Sequence, residues 1–134
     1  MSREPGKAAE RIRTFFEAFN RRDWHAFYAE LDPEVEYTPV EENVLYRGRE
    51  AITEYFQHWF EEWDRFVVEP EEIEFTPAED RGFVAFRCRG MGRASGVEID
   101  DRLFWGADLR DGRLHRIREF TARDEALEAV GLRE

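Results

Sequence analysis

Cysteine occurs once in this chain, at Cys88, so no disulfide can form within it. Lysine is equally scarce: Lys7 is the one lysine among 20 basic residues, a bias we read as genomic composition rather than function. No apolar run is long enough for a signal peptide or a membrane span, which points to a soluble, cytoplasmic protein without a membrane partner. No repeat, linker or low-complexity tract divides the sequence. A length of 134 residues suits one domain, 1–134, with a real core. Met1 to Lys7, with Pro5-Gly6, is expected to be a frayed leader. The bend Gly90 to Gly96 has neither lysine nor the spacing of a phosphate-binding loop, and His25, His58 and His115 lack metal-ligand spacing.

Acid and aromatic rings are what the chain has in excess. Its formal net charge is −11. Residues 1–80 hold 9 Lys and Arg against 21 Asp and Glu, whereas residues 81–134 hold 11 against 10. So acidic a first half repels phosphates, and nucleic acid is not an expected partner. Arg87, Arg89, Arg116 and Arg118 alternate with apolar residues over two segments, the pattern of a solvated or subunit-facing sheet surface. Aromatics make up 15% of the chain, enough to line a cavity as well as fill a core.

Ile12, Phe15, Phe16 and Phe19 recur at helical spacing, with Asn20 as the expected helix end. Asp23 is placed to cap a second helix carrying Trp24, Phe27, Tyr28 and Leu31, which Asp32-Pro33 should end. After a polar loop, Glu41 to Tyr46, a third helix opens at Gly48 and runs to about Trp63, presenting Ile52, Tyr55, Phe56, Trp59, Phe60 and Trp63. Glu71 to Pro77 reads as a short strand. Phe83 to Arg89 alternates, with Val84, Phe86 and Cys88 on one side and Phe83, Ala85, Arg87 and Arg89 on the other. Val97 to Arg110 and Arg113 to Phe120 are strands joined by an Asp111-Gly112 turn, and Ala122 to Leu132 is a C-terminal helix closing or flanking the rest.

Three local patterns carry a family resemblance. Phe19-Asn20-Arg21-Arg22-Asp23-Trp24 leads into Leu31-Asp32-Pro33-Glu34-Val35-Glu36-Tyr37, Tyr46-Arg47-Gly48-Arg49-Glu50-Ala51-Ile52 opens the third helix, and Leu109-Arg110-Asp111-Gly112-Arg113-Leu114 precedes Glu119-Phe120. In order and spacing, over roughly Ala8 to Leu132, the chain resembles the nuclear transport factor 2-like superfamily, especially its SnoaL-like and ketosteroid-isomerase-like branches. The resemblance implies an α+β fold: a cone-shaped, curved, mostly antiparallel sheet around three N-terminal helices, with a pocket at the open end.

Strand alternation and that layout together point Tyr37, then Asp101, Leu103, Trp105 and Ala107, then His115, Ile117 and Glu119 inward. Glu119 is the leading candidate, because a carboxyl group buried among rings should have a raised pKa and serve as general acid or base; an outward ion pair is the alternative. Asp101 is expected to assist as the second member of a carboxyl pair, or else to sit in a solvated hairpin end. Arg102, adjacent on the strand, must face the other way. Tyr37 and Tyr55 are candidate donors to a ligand carbonyl, or core rings. The expected pocket wall is Phe15, Phe19, Tyr55, Trp59, Phe86, Cys88, Leu103, Trp105 and Ile117. Cys88 has no histidine partner to make it a nucleophile.

Against ketosteroid isomerase, the helix tyrosine falls at about Phe15, the proton-shuttling aspartate at Tyr37, and the second aspartate near Phe104 or Trp105. All three functional groups are missing, so steroid isomerisation by that route is not expected. Two functions remain. One is proton transfer on a small apolar cyclic or enolisable substrate, by Glu119 with Asp101 and Tyr37, without metal or organic cofactor. The other is a non-catalytic small-ligand-binding or accessory module; a dimeric interaction domain is a weaker third. The superfamily also implies a C2 homodimer through the sheet, with Phe83, Ala85, Phe104 and Gly106 as a partly apolar face.

Overall fold

The computed structural model describes residues 6–40 and 44–132. Most of the expected leader therefore lies outside the described residues, as do residues 41–43 of the polar loop, and Lys7 already belongs to the first helix. The elements are α1 (Lys7–Arg21), α2 (Trp24–Ala29), β1 (Leu31–Thr38), β2 (Tyr46–Arg47), α3 (Arg49–Phe60), β3 (Trp63–Phe75), β4 (Arg81–Gly92), β5 (Glu98–Arg110), β6 (Arg113–Phe120) and α4 (Arg123–Ala129). Six strands form one curved sheet in the order β2-β1-β6-β5-β4-β3, antiparallel except for the β1–β6 pair.

α1 buries its apolar stripe, Ile12, Phe15, Phe16 and Phe19, against the inner face of the sheet. It runs one residue past Asn20 and stops at Arg22, which takes the left-handed conformation and donates its N–H to carbonyls of the last turn. Asn20 has a tertiary task instead. Its amide donates to Val68 O (2.8 Å) and accepts from Val68 N (2.9 Å), clamping the end of α1 to β3. Asp23 caps α2 as expected, accepting from Ala26 N at 3.2 Å.

β1 begins at Leu31, so Asp32-Pro33 lies inside a strand rather than ending a helix. Proline is tolerated there because the β1–β6 ladder is irregular between Leu31 and Glu36, where its missing N–H removes no ladder bond. Asp32 is buried and receives two bonds from the Arg110 guanidinium, at 2.8 and 3.0 Å.

α3 ends at Phe60, and Trp63 already belongs to β3, a strand of 13 residues of which only the last part, from Glu71 to Phe75, is legible in the sequence. The physical reason is a bulge between Trp63 and Arg65. The extra residue puts Trp63, Phe66 and Val68 on the inner side, so the i, i+3, i+4 spacing of α3 continues into the strand and imitates more helix. Gly90 to Gly92, expected to be a bend, complete β4. The tight turn of β5 into β6 is as expected: Asp111 and Gly112 both have positive φ, 52° and 78°, the pair of values a two-residue hairpin needs.

Alternation along β4 separates two cores. Val84, Phe86 and Cys88 join the large inner core. Phe83 and Ala85 face the other way, and α4 covers them with Ala126, Leu127 and Val130. Gly106 makes that docking close, since a Cβ there would meet Val130 at 3.2 Å. The apolar patch expected to face a second subunit is thus largely occupied by the chain's own C-terminal helix. α4 flanks the convex face of the sheet and does not close its open end.

Candidate ligand cavity

A cavity of about 470 Å³ lies between the helices and the concave face of the sheet. α1 supplies Phe15, Phe16 and Phe19 to its wall; α3 supplies Tyr55, Phe56 and Trp59; β3 supplies Trp63, Phe66 and Val68. From the rest of the sheet come Tyr37, Phe86, Cys88, Ile99, Asp101, Leu103, Trp105 and Glu119, with Pro39 and Val40 following β1. Eight of the nine expected wall residues are there. Ile117 is not: it is buried in the core beside the cavity. Phe66 and Val68 were hidden by the bulge in β3, and Trp63, expected on the third helix, reaches the wall from that strand instead.

Glu119 faces inward from β6, opposite Trp105 on β5. Three uncharged donors converge on it. Trp105 Nε1 donates to Oε2 at 2.8 Å, the Tyr37 hydroxyl to Oε2 at 3.2 Å, and Val40 N to Oε1 at 3.2 Å. Donors of this kind fix the carboxyl group in the cavity wall. Tyr37 stands where the ketosteroid-isomerase resemblance put one aspartate and Trp105 is one of the two positions it gave for the other; here they hold a carboxylate that comes from a different strand.

Tyr37 is buried, and its hydroxyl pKa is raised well above the usual value, first by burial and then by the Glu119 charge and Tyr55. It therefore stays protonated, and its proton is directed to Glu119 rather than into open space for a ligand carbonyl. Tyr55 packs against it at 5.7 Å between centroids. Burial pushes the Cys88 thiol up to about 12, with Glu119 and Asp101 adding to the shift. That makes Cys88 a wall residue and not a nucleophile.

Asp101 is cross-strand from Cys88 and exposed, near the mouth of the cavity. Glu119 pairs with Trp105, four residues further along β5. At the rise of a strand the two backbone positions are about 13 Å apart along the strand direction. The expected proton-sharing carboxyl pair is replaced by two carboxylates set apart along one wall. Arg102 projects from the opposite side, as alternation requires, and bonds Glu71 at 2.7 Å.

His115 does not reach the cavity. The β5–β6 ladder is irregular between Asp108 and Leu109, where Leu109 opposes Leu114 and Asp108 opposes Arg116. His115 is the extra residue, and its period-two relation to Glu119 is lost. Leu114 takes the core place while His115 Nδ1 lies 3.8 Å from Asp32. His25 and His58 are exposed. Among the described residues no group of three His, Cys, Asp or Glu side chains is placed to hold a metal ion.

A sheet wrapped around N-terminal helices over a ring-lined cavity defines the class, and the sequence supplies the family. The chain belongs to the SnoaL-like domain family, which matches residues 12–117. No curated protein sequence matches it. Among solved structures it is similar to an NTF2-like protein of unknown function from Burkholderia pseudomallei K96243 (17% identity, TM-score 0.77, covering 94% of this chain and 98% of that one). It is also similar to a putative SnoaL-like polyketide cyclase from Jannaschia sp. CCS1 (19%, 0.75, 100% and 99%). A Mycobacterium tuberculosis protein in complex with estradiol-17β-hemisuccinate is a third (15%, 0.76, 90% and 97%). At these identities the likeness is one of fold.

Proposed function

We propose that this chain is a small-ligand pocket protein of the SnoaL-like type that catalyses cofactor-free proton transfer on a small cyclic or carbonyl substrate, with Glu119 as the proton carrier. The observation that carries this reading is a carboxylate fixed by three uncharged donors in the wall of an aromatic cavity. Glu119 takes a proton from carbon beside a carbonyl and returns it elsewhere on the same molecule, so no oxidant, metal or organic cofactor enters the balance. The substrate that suits a carboxylate base has an acidic C–H, such as one flanked by two carbonyls. Tyr37 and Trp105 position Glu119. Asp101, near the mouth, orients the guest. The polyketide-cyclase and steroid-complex relatives favour polycyclic carbonyl compounds as the first class to try.

The test is hydrogen exchange from deuterated water into a panel of cyclic ketones, 1,3-dicarbonyls and polyketide-like aromatics, followed by NMR. Glu119→Gln should lower the exchange rate by about a hundredfold or more. Tyr37→Phe keeps the ring and should lose about tenfold through poorer positioning. Exchange unchanged in Glu119→Gln would remove the catalytic reading and leave the non-catalytic binding module, which the same cavity supports. Among the described residues no helix is long and apolar enough to cross a membrane, and we place the activity in the cytoplasm. The homodimer through the sheet belongs to this reading too, now across the convex face beside α4.

A further inference from the structure

The cavity has a one-sided charge pattern. Eleven of its nineteen described lining residues are aromatic, two are carboxylates, Glu119 and Asp101, and none is Lys, Arg or His. This is not for want of arginine on the same strands. Alternation sends Arg87, Arg89 and Arg102 of β4 and β5 to the convex face, where they pair with Asp100, Glu69 and Glu71. Cys88 and Asp101, their sequence neighbours, turn inward. Among the described residues, a phenol, an indole and a backbone amide donate to Glu119.

A guest that fills such a space covers two carboxylates and withdraws water from them. A neutral guest leaves that loss uncompensated, and an anionic guest adds repulsion. A cationic guest offsets it, and aromatic ring faces attract organic ammonium groups besides. The overall charge of −11 steers in the same direction. From this geometry we infer that the cavity selects ligands that join an apolar cyclic body to an organic ammonium group. Acids and uncharged analogues of the same shape are discriminated against. The inference rests on the reading of this cavity as a ligand site and narrows the carbonyl guests proposed above to those that also carry an ammonium group.

The experiment is calorimetric titration of the full chain at pH 7 with the adamantyl cage bearing trimethylammonium, hydroxyl or carboxylate. The ammonium compound should bind at least about tenfold more tightly than the alcohol, and the carboxylate most weakly. The ratio of ammonium to alcohol affinity should fall in Glu119→Gln and in Asp101→Asn. Asp101 is exposed, so its variant carries the test should Glu119→Gln fail to fold. Alcohol binding as tight as the ammonium, or a ratio unchanged in both variants, overturns the charge selection and leaves the ligand cavity standing. Binding by none of the three overturns both.

Discussion

Asp32 is a charged residue placed where the chain would ordinarily put an apolar one. It is buried, and the Arg110 guanidinium bonded to it holds its carboxyl below the usual carboxylate range. A depressed folded-state pKa contributes stability that is present above the unfolded value, about 3.9, and is lost as pH falls through the folded value. Asp32→Asn should therefore cost about 1.5 kcal/mol or more at pH 7. That difference should shrink below pH 4 in urea melts taken from pH 3 to pH 7; a constant difference would mean that the ion pair contributes nothing. Cys88 gives the opposite sign. A thiol whose pKa is raised to about 12 is about one part in ten thousand thiolate at pH 8. Iodoacetamide should alkylate it at pH 8 only after denaturation, as read by intact mass. Rapid labelling of the native chain would show an open, electropositive site that the structure does not contain.

At the scale of elements, the break between α3 and β3 decides the cavity. Trp59, Trp63 and Phe66 lie in mutual contact, with Trp59 and Phe66 at 4.1 Å and perpendicular. One helix residue and two strand residues thus make a single wall. The Asn20–Val68 clamp ties α1 to the same strand. α4 is a separate layer. Leu127→Asp would bury an unpaired carboxylate against Phe83 and Ala85, at a cost of about 3 kcal/mol. We expect α4 to leave the sheet and the variant to self-associate in light scattering. Ligand binding should survive, because α4 touches the convex face and the cavity lies on the concave one. Loss of binding in step with undocking would show that the two cores are coupled.

For the whole molecule, α4 changes what a homodimer would have to use. With Phe83 and Ala85 covered, much of the convex face of β3 to β5 carries ion pairs, Arg87–Asp100 and Arg102–Glu71 among them. Association across such a surface weakens as salt rises, since exposed charges are screened over about 8–10 Å. Sedimentation at micromolar concentration should give twice the chain mass at low salt and less with added salt. A value of 16.0 kDa throughout would make the chain a monomer.

Much of this molecule was legible in the sequence because short-range periodicity suffices for it. The α1 stripe, the Asp23 cap, the alternation of β4 and the Asp111-Gly112 turn depend on neighbours within a few residues. The inward orientation of Glu119 needed the family layout as well, because alternation along β6 does not say which face is the inner one. Bulges and pairings are different, because a residue inserted in one strand is defined only against its partner. For that reason the start of β3, the displacement of His115 by Leu114, and the roughly 13 Å along the strand direction between Asp101 and Glu119 could not be read from spacing. The same holds for the donors on Glu119. Tyr37 comes from the end of β1, Val40 from just after it and Trp105 from β5, and only the closing of β1, β6 and β5 against one another brings them to one carboxylate.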